Sequence, residues 1–281
     1  MKFRIISALC LASVIAVKTN AQALRNAAVA PCIGQGAYSL QQTDAFSFIS
    51  NQAALAQLKN AAAGIYGERR FFLPELNSYL ATLVLPLQSG GAGLKLRYSG
   101  FSQFNETGLS LAYARRLGDK AGIGVQFNYH GVSIEDYGNA AALSVEIGAI
   151  FHLSEKLNTG FHVNNPAGGK FRNASQEKLP AIYTFGMGYE PSDKFFLNME
   201  IIKEEDQPVD IIAGFQYRFV SRVLIRAGIA SATSSVWAGP GLSIGGFRMD
   251  IITSYHPQLG ISPGMLLIFN FKTKTLVRDE K

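Results

Sequence analysis

The stretch 247-FRMDIITSYHP-257 decides how the chain is read. Phe247, Met249, Ile251, Thr253 and Tyr255 alternate with Arg248, Asp250, Ile252, Ser254 and His256. A period of two is the pattern of a β-strand with one apolar and one polar face. The polar face meets either bulk water, as in a soluble sandwich, or an enclosed wet interior whose outer wall lies in lipid.

Working outward from this strand, segments of the same kind fill the chain beyond residue 60. They run over 61–68, 76–86, 92–99, 107–117, 121–132, 141–153, 157–164, 179–190, 194–203, 208–219, 222–230, 234–244, 247–256 and 263–271. The number is even and the length suits a tilted strand crossing hydrocarbon. Every second connection is short, as at Gly118-Asp119-Lys120, Ser154-Glu155-Lys156, Ser192-Asp193-Lys194 and Gly245-Gly246. Longer ones lie between them: 68-ERRFFLPEL-76, 100-GFSQFNE-106, 165-NPAGGKFRNASQEK-178 and 257-PQLGIS-262. Such a segregation is what barrels of the outer membrane show, and a soluble sandwich has no reason for it.

The parity of the charges points the same way. Lys95, Arg97, Arg116, Glu146, Asp210, Arg218, Arg226, Arg248 and Asp250 share the parity of Gly and Ser, while large aliphatics and aromatics take the other. One arginine facing lipid at mid-depth costs roughly 2–4 kcal/mol, so these nine are expected to line a lumen. They either shape a solute path and hold a hatch, or form ion pairs that satisfy a filled interior. Tyr66, Tyr98, Tyr113, Tyr129, Tyr189, Tyr217 and Tyr255 fall near the ends of apolar faces, where an interfacial girdle belongs. The expected fold is all-β: a transmembrane antiparallel barrel of fourteen strands over 61–271, with a tail at 272–281.

The chain opens MKFRIISALCLASVIAVKTNAQ, with Lys2 and Arg4 ahead of an apolar run from Ile5 to Val17. That reads as a signal peptide over 1–21, too short to span a bilayer as a helix. Without Lys2, Arg4 and Lys18 the formal charge falls from +6 to +3, so the basicity is partly that of the leader. No cluster of Lys and Arg interleaved with aromatics suggests nucleic acid. Cys32 is then the one cysteine left, which excludes an internal disulfide.

Residues 22–60 do not alternate. In 43-TDAFSFISNQAALAQLKN-60, Thr43 is placed to cap a helical turn, and Phe46, Ile49, Leu55 and Leu58 have helix-like spacing. A partly helical segment ahead of a wide barrel is either a flexible leader or a hatch folded into it. Phe46, Asn51, Leu55 and Leu58 are the hatch candidates.

With Ala45, Asn51, Ala53, Ala54 and Leu55 ahead of the strands, the chain resembles the FadL superfamily of outer-membrane barrels. Within it, 66-YGERRFFLPELN-77, 111-LAYARRLGDK-120, 188-GYEPSDK-194 and 255-YHPQLGIS-262 are similar to the PorV/PorQ-type branch. Gln52 stands where the family commonly has proline. The resemblance implies passive passage of hydrophobic compounds with the N-terminal hatch as gate. Its alternative implication is a PorV/PorQ-like accessory of type IX secretion that docks exported proteins. The partners implied are outer-membrane lipid with either small hydrophobic molecules or secretion proteins.

No residue set points to an enzyme, a cofactor or a metal. His152 and His162 flank a turn with one inward parity, but a third ligand is missing. Gly241-Leu242-Ser243-Ile244-Gly245 fits G-x-S-x-G, yet lies in a strand rather than a strand-to-helix turn. The loop 68-ERRFFLPEL-76 carries apolar side chains beside charges, as a docking surface, a lipid-skimming lip or a strand extension.

Overall fold

A computed structural model describes residues 32–171 and 178–271. The leader at 1–21 and the tail at 272–281 lie outside the described residues. Fourteen antiparallel strands close into a barrel, each paired with its sequence neighbours and the last with the first. They are β1 (Ala62–Arg69), β2 (Asn77–Leu87), β3 (Gly90–Gly100), β4 (Phe104–Leu117), β5 (Ala121–Ile134), β6 (Gly138–His152) and β7 (Leu157–Asn164), followed by β8 (Ile182–Ser192), β9 (Phe195–Glu204), β10 (Asp210–Val220), β11 (Val223–Ala230), β12 (Ser235–Ile244), β13 (Phe247–His256) and β14 (Gly260–Asn270). Closure runs through β1 and β14, in register from Ala62 opposite Asn270 to Glu68 opposite Gly264. It leaves no exposed sheet edge, the condition for a sheet to cross lipid.

Alternation along each strand gives the wall its two faces. In β13 the outward Phe247, Ile251 and Tyr255 are exposed, while Asp250 and Ile252 are buried. The outward face carries large apolar residues around the barrel, among them Ile65, Leu111, Phe127, Ile147, Phe161 and Ile229. Its charges, Arg69, Arg115 and Lys203, sit in the last three residues of their strands. This is the surface of a barrel that spans a membrane. Tyr66 does not belong to the girdle: it has the inward parity and is buried, its ring against Gly264.

Two loops are shorter than their composition suggests. β3 and β4 continue to Gly100 and Phe104, where the Phe101 N–H meets the Phe104 carbonyl at 2.8 Å, leaving only 101–103 as loop. Likewise β13 and β14 leave only 257–259. Polar strand residues keep pairing beyond the apolar band, because ladder bonds form in water as well as in lipid. The difference between the ends therefore rests mainly on 70–76, 165–181 and 205–209.

Residues 32–60 lie inside the barrel. They form three short 3₁₀ segments, Gln35–Tyr38, Ser47–Ile49 and Gln52–Gln57, rather than the helix that the apolar spacing suggests. Thr43 caps none of them; its hydroxyl donates to the Ser39 carbonyl. Asn51 does the capping, its Oδ1 accepting from the Ala53 N–H at 3.0 Å. A segment surrounded by strands gains more from matching the wall than from a regular helical stripe. Glycines of inward parity make room for it. Tyr38 rests on Gly186 and Gly188, Phe46 on Gly64, and Leu55 on Gly91 and Gly93, where a methyl group would overlap the plug.

Cys32 belongs to this plug and is fully buried. Burial, and then the charge of Glu68, pushes its thiol well above the ordinary value. A neutral, enclosed thiol is a poor nucleophile. In detergent, Cys32 is expected to stay unmodified by a charged maleimide until the barrel is unfolded. Prompt labelling of the folded barrel would show the plug outside the lumen.

Candidate functional site

The plug is held by hydrogen bonds and ion pairs to the barrel's inward residues, which also bond among themselves. On one side, Arg248 Nη1 reaches Asp44 Oδ2 of the plug at 3.2 Å, and Arg248 Nη2 reaches Asp250 Oδ2 at 2.6 Å. Arg226 joins the same carboxylate at 3.1 Å and donates to Gln216 at 3.0 Å. Gln216 and Arg218 then both donate to Gln42 of the plug, at 2.8 and 2.7 Å. On the opposite wall, Glu146 accepts from Gln52 of the plug at 2.7 Å, Asn128 at 2.8 Å and His162 at 2.9 Å. Glu190 receives the Ser39 hydroxyl and the Leu40 and Gln41 N–H groups, and Arg116 donates to the Ala56 carbonyl at 3.1 Å.

Of the nine lumen candidates, then, Arg116, Glu146, Arg218, Arg226, Arg248 and Asp250 meet the plug directly or through one neighbour. Arg97 pairs with Glu106 at 3.4 Å toward the long-loop end. Lys95 is buried on β3 between Thr82 and Ser110. The hatch candidates Phe46, Asn51, Leu55 and Leu58 are all buried, and Asn51 Nδ2 donates across to the Phe161 carbonyl at 3.1 Å. His152 and His162 do not face one another. The ladder sets His152 opposite Asn158 and His162 opposite Gly148. Among the described residues no group of three or more His, Cys, Asp or Glu is placed to hold a metal.

Above the plug, toward the long loops, lies a cavity of about 220 Å³. Its floor is Ile33, Ile49 and Ser50 of the plug, and its apolar wall is Ile182, Ile202, Ile212 and Ala230 on β8 to β11. Glu68, Glu200 and Asp210 give it carboxylates, with His162 and His256 on its rim. Of the nine candidates only Asp210 reaches it, accepting from the Ser231 hydroxyl at 3.1 Å and the Ala232 N–H at 2.7 Å.

The isoleucine wall was hidden in the sequence by doublets. Ile201-Ile202 and Ile211-Ile212 each send one side chain to lipid and one to the lumen, so they look like plain apolar strand. The signal was available: an apolar residue breaks the polar parity at these two places. Glu68 and Glu200 were visible as residues, but nothing marked them as neighbours, since the cavity gathers them from opposite parts of the barrel.

Two loops shape the mouth. Between β7 and β8, Phe171 and Leu179 pack on Ala142, and Asn165 Nδ2 holds the Leu179 carbonyl at 2.7 Å. In 70–76, Phe71 and Phe72 both adopt positive φ, 53° and 59°, a costly conformation for aromatic residues. It turns Phe71 inward, edge-on to His256 with its N–H on Ser262 at 3.0 Å. Phe72, Leu73 and Leu76 are left exposed on the rim.

With this geometry in hand, known structures give the comparison. No protein-family model matches the chain, and no curated protein does. The CymD monoaromatic hydrocarbon channel is 13% identical, over 85% of this chain and 96% of its own, with a TM-score of 0.59. The fold is that of the FadL-like barrels. The Pseudomonas putida toluene transporter TodX aligns at 11% identity over 83% and 95%, with a TM-score of 0.59. A Pseudomonas aeruginosa FadL homologue aligns at 12% over 85% and 96%, at 0.56. At such identities the likeness is one of fold. The resemblance to the PorV/PorQ branch receives nothing from these comparisons.

Asp250→Ala would leave Arg226 and Arg248 buried without their shared acceptor. The expected loss is about 3–5 kcal/mol of barrel stability, read from the denaturant unfolding midpoint, with Cys32 becoming reactive in the folded state. Gly186→Val is expected to expel Tyr38 and expose Cys32 in the same way, without removing a charge.

Proposed function

We propose that this chain is a non-enzymatic barrel of the bacterial outer membrane that passes small hydrophobic solutes down their concentration gradient. The cavity above the plug carries the reading. Its volume of about 220 Å³ exceeds the roughly 150 Å³ that suffices for benzene in an apolar protein cavity. Five isoleucines, Ile33, Ile49, Ile182, Ile202 and Ile212, supply the apolar surface such a solute needs. The similar structures of a monoaromatic hydrocarbon channel and of toluene transporters support the same class of solute.

The plug fills the lumen beneath the cavity, so solute captured there advances only when the plug shifts or loosens. Residues 32–60 thus act as the hatch, and the ion pairs of Asp44, Arg248 and Asp250 set how readily it moves. CymD is described as a channel and TodX as a transporter. Nothing in them favours docking of secreted proteins, and the secretion-accessory reading is set aside.

Uptake of toluene into proteoliposomes containing the protein tests the proposal. Ile202→Phe, which fills the cavity with the barrel intact, is expected to lower uptake about tenfold, the effect of losing roughly 1.4 kcal/mol of solute binding. Phe71→Ala is expected to raise it by opening the mouth. Equal uptake by protein-free vesicles, or by the Ile202 variant, would overturn the proposal.

A further inference from the structure

The cavity is not lined as a container for a plain hydrocarbon. Beside its isoleucines it holds three carboxylates, Glu68, Glu200 and Asp210, and Arg70 is the one lysine or arginine among the described lining residues. Arg70 lies over the Phe71 ring at 5.5 Å and acts on Glu68. Glu200 has no such partner. It is 7% exposed, it lines the cavity, and its Oε1 makes no hydrogen bond. The ionisable neighbour that acts on it is His162, whose Nε2 is already engaged by Glu146 at 2.9 Å. Ser50 of the plug hydrogen-bonds to its carboxylate, which leaves Oε1 as the unused oxygen.

A buried carboxylate with an unused oxygen is costly to keep, and an entering cation or strong donor would remove that cost. The ladder places Glu200 opposite Ile212, and Ile202 opposite Asp210, so the two acids sit diagonally on neighbouring strands with an isoleucine beside each. Phe71 adds an aromatic ring at the mouth, a further attraction for an ammonium group. Among the described residues the acids do not cluster closely enough to hold a metal ion, which leaves an organic cation as the natural complement.

We propose that the cavity selects small apolar molecules carrying an amine, with the ammonium group on Glu200, Asp210 close by, and the hydrocarbon body against Ile49, Ile182, Ile202 and Ile212. This selectivity rests on the solute-passage reading of the same cavity and narrows its substrate class. A carboxylate-bearing molecule of equal size is excluded by like charge, and a plain hydrocarbon leaves Glu200 without its partner.

Benzylamine, toluene and benzoate share one ring and differ in charge, so their binding to the detergent-solubilised protein decides the matter. Benzylamine is expected to bind about tenfold or more tightly than toluene, the worth of one charge-assisted hydrogen bond, and benzoate more weakly than either. In Glu200→Gln, with folding checked by its β-sheet circular dichroism, benzylamine is expected to fall to the level of toluene. Toluene or benzoate binding as tightly as benzylamine to the native protein would overturn the amine preference while leaving the passage of hydrophobic solutes standing. So would a preference retained in the folded Glu200→Gln protein. If none of the three binds, the reading of the cavity as a solute site fails as well. The ranking on native protein stands alone should the variant not fold.

Discussion

Buried charge in the lumen must be neutralised, and that requirement joins plug to barrel. A wall that faces lipid carries ionised groups only near the strand ends, so the others accumulate inside, where water is scarce once the plug is in place. Asp250 and Arg226 are almost wholly enclosed and stand in one network with Arg248, Asp44, Gln216 and Gln42. Two members of that network belong to the plug. Removing the plug would strip acceptors from Arg248 and Arg218 together, which ties the position of residues 32–60 to the electrostatics of β10 to β13.

Shape complementarity works with the charges. Glycines on the inward parity hollow the wall where Tyr38, Phe46 and Leu55 press against it, and any side chain there would occupy the same space. The backbone of the plug is irregular for the same reason. A regular helix would present a stripe of evenly spaced side chains, whereas the wall offers separate hollows on different strands. Asn51 shows the compromise: one end of its side chain caps a 3₁₀ segment and the other bonds to β6 and β7 carbonyls.

The cavity occupies what this arrangement leaves over. The plug fills the short-turn side, Phe171 and Leu179 pack on Ala142 of β6, and the space that remains lies against β8 to β11. Its wall combines isoleucine with acid because those strands depart there from the polar parity of the lumen. The strain at Phe71 and Phe72 goes with the placement of an aromatic ring over the cavity rather than on the rim.

The sequence by itself determined the barrel. Alternation has a period of two whatever the tertiary context, so strand number and the inward side of Lys95, Glu146, Arg226 and Asp250 could be read from spacing alone. Tertiary structure decided the rest. Whether residues 32–60 are a leader or a plug depends on hollows distributed over many strands, and no local pattern records them. The isoleucine wall depends on which member of a doublet turns inward. Glu68 lies far along the chain from Glu200 and Asp210, and only closure of the barrel brings β1 around one cavity with β9 and β10. Local periodicity fixes the direction of a side chain, while its neighbours across a lumen are set by the register and shear of the closed sheet.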